Sequence, residues 1–141
     1  MTVFVDTNVL VYARDASQVQ KQPAAATWMA HLWRTGAGRL STQVLGEFYV
    51  TVTRKLDPGM AVPHARADVR DLLAWRPLPV TAGLVTDAWH IQDRFQLSYW
   101  DALIVAAARE AGCDRLLTED FQEGQDLDGI AIVNPFRNPP A

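Results

Sequence analysis

Asp6 closes an apolar run, Val3-Phe4-Val5, and is followed at once by a hydroxyl and an amide, Thr7 and Asn8. A buried strand places β-branched and aromatic residues in its core, so three polar side chains at its carboxyl end need a reason. Capping of the helix expected to follow is one, since Asp, Thr and Asn are ordinary N-caps. Ligand binding is the other, since open parallel α/β sheets bind ligands at the carboxyl ends of their strands. Three further acids fall at comparable places. Glu47 lies in the helix that follows Ser41, Asp101 in the first turn of an apolar helix after Ser98, and Asp120 just past Leu116-Leu117-Thr118. Each has a bland reading of its own: a capping box for Ser98–Asp101, an exposed helix face for Glu47, loop polarity for Asp120 beside Glu119. Only the combination carries information.

If the acids converge, the chemistry is constrained. Two carboxylates about 5 Å apart repel by about 3 kcal/mol at an effective dielectric near 20. Three or four together require protonation or a bound cation. Oxygen ligands without His or Cys select Mg²⁺ or Mn²⁺ over zinc. Such an ion polarises a phosphoryl oxygen and lowers the pKa of a bound water. A carboxylate rim of this kind suggests phosphodiester hydrolysis.

The elements that must position these acids are readable in outline. Thr2–Val5 reads as a strand, Thr7–Arg14 as a short helix, and Asp15–Gln22 as a polar connection. Pro23 suits the first turn of a helix, whose Ala25, Trp28, Met29, Leu32 and Trp33 keep helical spacing up to Gly36. Arg39–Ser41 is a short strand candidate, and Ser41 or Thr42 caps the helix that carries Glu47. Asp57-Pro58-Gly59 is a turn, Met60–Trp75 a helix, and Arg76–Thr81 a Pro-punctuated strand near a sheet edge. Thr81 opens a helix through Phe95. Trp100–Ala111 is apolar nearly all round and therefore central. Asp114–Thr118 and Gly129–Val133 complete the strands, and Asn134–Ala141 is a proline-rich tail. Strands alternating with helices in this way imply βαβ units and a mainly parallel sheet covered on both faces, in one domain over residues 1–141.

Composition narrows the class. The chain has 141 residues, enough for a real core, with 49% hydrophobic and 21% charged residues. No apolar run approaches the roughly 18 residues of a membrane span, and nothing before Asp6 reads as a secretion signal, so a cytoplasmic location is expected. The single cysteine, Cys113, excludes an internal disulfide and a multi-cysteine zinc site. A net charge of −3 argues against a large phosphate-neutralising surface. It leaves room for a local one, for which Arg14, Arg39, Arg54 and Lys55 are candidates.

Four stretches resemble the PIN-domain ribonucleases, and within them the VapC-type toxins of bacterial toxin–antitoxin pairs. They are Val3–Tyr12, Ser41–Tyr49, Ser98–Ala108 and Leu116–Gly124, in family order along almost the whole chain. The resemblance implies a PIN-like three-layer α/β/α fold. It also implies a divalent-metal endoribonuclease in which Asp6, Glu47, Asp101 and Asp120 hold the ion. Thr7, Asn8 and Thr118 support them, and Glu119 competes with Asp120 for the fourth place. Attack by a metal-activated water would leave a 5′-phosphate and a 3′-hydroxyl. The implied partners are the RNA substrate, a cognate antitoxin and a second copy of the chain, with no membrane. Trp28 and Trp33 would line a groove for an antitoxin segment.

His31, His64 and His90 form no metal-ligand spacing and are read as structural or surface residues; Cys113 is read as a small buried hydrophobe. The runner-up function is a receiver-like or non-catalytic Mg²⁺-binding interaction module. A receiver needs a lysine after a late strand, whereas Lys21 and Lys55 both lie in the first half.

Overall fold

Val3, Phe4 and Val5 are all buried and form β1, the strand from which the sheet is built. In a computed structural model describing residues 1–141, β1 (Val3–Val5) lies between β2 (Gly38–Arg39) and β3 (Arg115–Leu117), with β4 (Ala131–Val133) outside β3. All three pairings are parallel; Phe4 aligns with Arg39 on one side and Leu116 on the other. A parallel strand flanked by others and covered by helices must be apolar on both faces, which is why β1 and the Leu116-Leu117 pair read as continuous rather than alternating.

The order β2-β1-β3-β4 locates the ligand-binding edge. From β1 the chain passes through α1 (Thr7–Arg14) and α2 (Lys21–Thr35) to β2 on one side. From β3 it passes to β4 on the other side. The two adjacent strands therefore send their chains in opposite directions, and the crevice at their carboxyl ends is a topological switch point. Asp6 follows β1 at that edge, its N–H donating to the Leu117 carbonyl at 3.1 Å; Thr118 follows β3.

The rest of the chain returns from β2 through α3 (Thr42–Val50), α4 (Val62–Leu72), α5 (Ala82–Phe95) and α6 (Tyr99–Glu110), completing a three-layer α/β/α arrangement. α1 packs on α2 and α3, and α5 packs on α6, which also touches β3. α6 buries Ala102 through Ala108 without interruption, as an all-round apolar helix must. No helix is long and apolar enough to cross a membrane.

Several expectations are corrected. Arg76–Thr81 is not a strand. Pro77 and Pro79 lack the N–H groups a ladder needs, so only Leu78 pairs, through a single parallel bridge to Ser41 at the β2 side of the sheet. The helix expected from Met60 begins at Val62, with Pro63 in its first turn, and tightens into a 3₁₀ turn at Leu73–Trp75. α2 starts at Lys21, two residues ahead of Pro23, and stops at Gly36 in the left-handed conformation, φ 71°. α3 runs on into a π-helical turn, Thr51–Lys55. The short strand at the end of α2 is Gly38–Arg39 rather than Arg39–Ser41. Gly38 is required there by close approach: a Cβ would lie 2.4 Å from the Trp75 ring.

Trp28 is not available as a groove anchor. It is buried, and its indole N–H donates to the Asn138 carbonyl at 2.7 Å, so the C-terminal tail covers it. Trp33 is 43% exposed and packs on Trp75 with ring centroids 5.1 Å apart. Cys113 is buried; His64 and His90 are exposed, and His31 faces Arg34 at 3.1 Å.

Candidate functional site

Asp6 is the N-cap of α1, but capping occupies only half of its carboxylate. Oδ1 accepts the Thr7 N–H at 2.7 Å. Oδ2 faces the other way and accepts the Thr118 hydroxyl at 2.8 Å, with Asn8 Nδ2 at 3.4 Å. The bland reading and the functional one are therefore both satisfied by one side chain, using different oxygens.

Asn8 joins the two strand ends. Its Nδ2 donates to Thr118 Oγ1 at 3.1 Å and to Asp120 Oδ2 at 2.9 Å. Its Oδ1 accepts the Glu119 N–H at 3.4 Å. Thr118 is fully buried and also accepts the Asp120 N–H at 3.1 Å, which shapes the turn after β3. Glu47 reaches the same rim from α3, its Oε1 accepting the Thr7 hydroxyl at 2.9 Å. Asp101 reaches it from α6. The Ser98 hydroxyl oxygen accepts the Asp101 N–H at 3.1 Å, so the cap is made by the Asp101 backbone. Only that half of the expected capping box forms, and the Asp101 carboxylate lies near enough to Asp6 and Asp120 for the charges to act on one another.

The electrostatics record the convergence. Burial pushes the Asp6 carboxyl up to about 7. The Thr118 hydroxyl and the Thr7 N–H pull it down, and the charges of Asp120 and Asp101 push it further up. Asp101 is raised as well, first by burial and then by Asp120, with the Ser98 hydroxyl offsetting part of the effect. No Lys or Arg is among the groups acting on either acid. An uncompensated set of carboxylates at the edge of a sheet is unfavourable for the fold alone.

Glu119 turns away from this set. Its Oε2 accepts the Lys21 ammonium at 2.8 Å, and its Oε1 accepts the Tyr12 hydroxyl at 2.5 Å. Of the two neighbouring acids, only Asp120 shares the Asn8–Thr118 network with Asp6.

Residues 3–123 match the family model of the PIN domain, a span that contains every acid named above. The chain belongs to the PIN-domain family. Its fold is similar to the crystal structure of VapC20 from Mycobacterium tuberculosis, a toxin that cleaves the sarcin-ricin loop. The TM-score is 0.63, with 27% sequence identity over 82% of this chain and 87% of that one. No curated protein matches the sequence.

The acids of this PIN domain do not form a closed cage, since no three His, Cys, Asp or Glu side chains are grouped tightly enough to ligate one ion by themselves. Asp6, Glu47 and Asp120 are held in place by Thr7, Asn8 and Thr118, which stand between them as hydrogen-bonding bridges. An open, all-oxygen, uncompensated donor set fits a hard divalent ion that retains several waters, as Mg²⁺ does. It does not fit zinc, which takes a tight shell of nitrogen and sulfur ligands.

Sequence reasoning missed Tyr12 and Lys21. Neither stands next to an acid in the chain, and their contacts with Glu119 cross sequence separations of 107 and 98 residues. A lysine opening a helix carries no local signal of such a partner.

Proposed function

We propose that this PIN domain is a divalent-metal-dependent endoribonuclease, the toxin of a toxin–antitoxin pair. The carrying observation is the hydrogen-bonded joining of Asp6, Thr118, Asn8 and Asp120 across the β1/β3 switch point, with Asp6 raised and no cation beside it. Asp6, Glu47, Asp101 and Asp120 would hold Mg²⁺ or Mn²⁺. When bound, such an ion polarises a phosphoryl oxygen and lowers the pKa of a coordinated water.

The chain's own residues do the positioning. The Thr7 N–H and Thr118 hydroxyl fix both oxygens of Asp6, so this acid cannot swing out of the crevice. Asn8 holds Asp120 against the same network, and the Thr7 hydroxyl holds Glu47. Asp101 sits at the start of α6, whose N-terminal N–H groups favour a negative charge. A scissile phosphate entering the rim would meet acids already oriented, which is the geometric requirement for in-line displacement. The likeness to VapC20, a toxin that cleaves the sarcin-ricin loop, supports RNA as the substrate and an antitoxin as the partner. A homodimer and a cytoplasmic location complete the proposal on the family resemblance alone.

The test is cleavage of a structured RNA by purified protein, with EDTA and with Mn²⁺ restored, followed by mapping of the ends. We expect metal-dependent cuts leaving a 5′-phosphate and a 3′-hydroxyl. A 2′,3′-cyclic phosphate, or cleavage indifferent to EDTA, would overturn the reading.

A further inference from the structure

Glu119 lies next to Asp120 in the chain, yet both of its carboxylate oxygens are occupied away from the acid rim. Tyr12 Oη donates to Oε1 at 2.5 Å and Lys21 Nζ donates to Oε2 at 2.8 Å. The ammonium itself is seated on aromatic rings, 4.8 Å from the centroid of Tyr12 and 5.4 Å from that of Phe136. Phe136 in turn meets Tyr12 edge-on, with centroids 5.2 Å apart and planes at 87°. Four parts of the chain therefore meet at one carboxylate: α1, the first residue of α2, the turn after β3 and the C-terminal tail. The Glu119 side chain is 20% exposed and that of Lys21 is 38% exposed, so the pair is sheltered rather than a loose surface contact.

The arrangement solves a specific difficulty. Asn8 stands between the two neighbouring acids, accepting the Glu119 N–H with Oδ1 and donating to Asp120 Oδ2 with Nδ2. A Glu119 carboxylate without partners could compete with Asp120 for Asn8 Nδ2, and would add a fifth negative charge beside Asp6, Glu47, Asp101 and Asp120. Lys21 cancels that charge, and Tyr12 occupies the remaining oxygen.

We infer that Lys21 and Tyr12 are positioning residues that hold Glu119 out of the acid rim, and thereby make Asp120 the carboxylate that Asn8 presents to the divalent ion. The inference rests on the metal-binding reading above. Lys21 touches neither substrate nor ion; it acts through Glu119. Asn8 orients Asp120, and loss of a partner that orients a metal ligand costs about 10–100-fold in affinity; Lys21 acts on that bond at one remove.

The experiment is Mn²⁺ titration of the purified, full-length protein, with free Mn²⁺ counted by electron paramagnetic resonance and folding checked by circular dichroism. Lys21→Met keeps an apolar stem against Tyr12 and Phe136 but removes the charge; its Mn²⁺ affinity should fall about tenfold. Tyr12→Phe keeps the ring and removes the hydroxyl, and should fall less, in the same direction. The double variant Lys21→Met/Glu119→Gln should recover most of the loss, because the displaced charge no longer exists. A merely structural lysine would not be rescued in this way. Unchanged affinity in Lys21→Met, or a loss that Glu119→Gln fails to restore, would overturn the inference alone. A wild-type protein that binds no Mn²⁺ would overturn the proposed function, and the inference with it.

Discussion

Replacing Asp6 by asparagine removes a buried charge while keeping the Oδ1 that caps α1. Burial, Asp120 and Asp101 raise the folded-state value to about 7 from an ordinary value of 3.8. Below pH 4 the acid is neutral in both folded and unfolded chains and contributes nothing. As pH rises from 4 to 7 the unfolded chain ionises and the folded one resists, so stability falls. Above 7 the cost is complete, at about 4 kcal/mol for a shift of this size. Asparagine does not titrate and escapes this cost. Its amide carries two protons toward Thr118 Oγ1 and Asn8 Nδ2, however, and an unmatched buried donor costs about 1–3 kcal/mol at every pH. The metal-free variant should therefore be more stable than wild type by about 2 kcal/mol at pH 8, and less stable by a similar amount at pH 4. In a chain of this length that is about 6 °C in Tm in each direction. Differential scanning calorimetry in EDTA at the two pH values reads it directly. A variant less stable than wild type at both, with parallel pH curves, would refute the buried-charge argument and leave Asp6 as a cap.

Asp101→Asn should abolish RNA cleavage while leaving the metal-free Tm unchanged or raised, because the Ser98 hydroxyl still caps the Asp101 N–H and burial and Asp120 oppose the carboxylate's charge; a loss of several degrees would assign the side chain to the helix terminus instead. Gly38→Ala should destabilise the fold by about 1–3 kcal/mol, read as a lower urea midpoint, since the new methyl would lie 2.4–2.7 Å from three atoms of the Trp75 ring. Thr118→Val removes the hydroxyl that donates to Asp6 and accepts from Asn8 and Asp120; the decline of metal-free stability, which still begins as the unfolded chain ionises, should extend to higher pH and deepen, and Mn²⁺ stabilisation of Tm should shrink.

The parts of this fold that were legible were those in which local chemistry and tertiary role agree. Val3-Phe4-Val5 followed by Asp6 reads as a strand with a polar carboxyl end, for which helix capping and ligand binding are the two open reasons. Ser98 followed by an apolar run reads as a capped, central helix, and α6 is that helix. The reading failed where backbone donors decide the matter. Arg76–Thr81 has strand-like spacing, but two prolines leave Leu78 as its one paired residue. At the proposed site, the sequence offered the acids as residue types at strand ends and in helices. The bridges between them were not legible, because Asn8–Asp120 and Thr118–Asp6 each join residues 112 apart. Trp28 illustrates the same limit: its amphipathic helix suggests a groove, whereas the tail that covers it lies 110 residues away.

The proposed function requires the acids at the β1/β3 crevice to bind a divalent ion. Anomalous diffraction from crystals soaked in Mn²⁺ tests it most directly. The expected result is a peak bounded by Asp6, Glu47, Asp101 and Asp120, with Glu119 still on Lys21. A rim without a peak at saturating Mn²⁺, or an ion bound by Glu119 in place of Asp120, would contradict it.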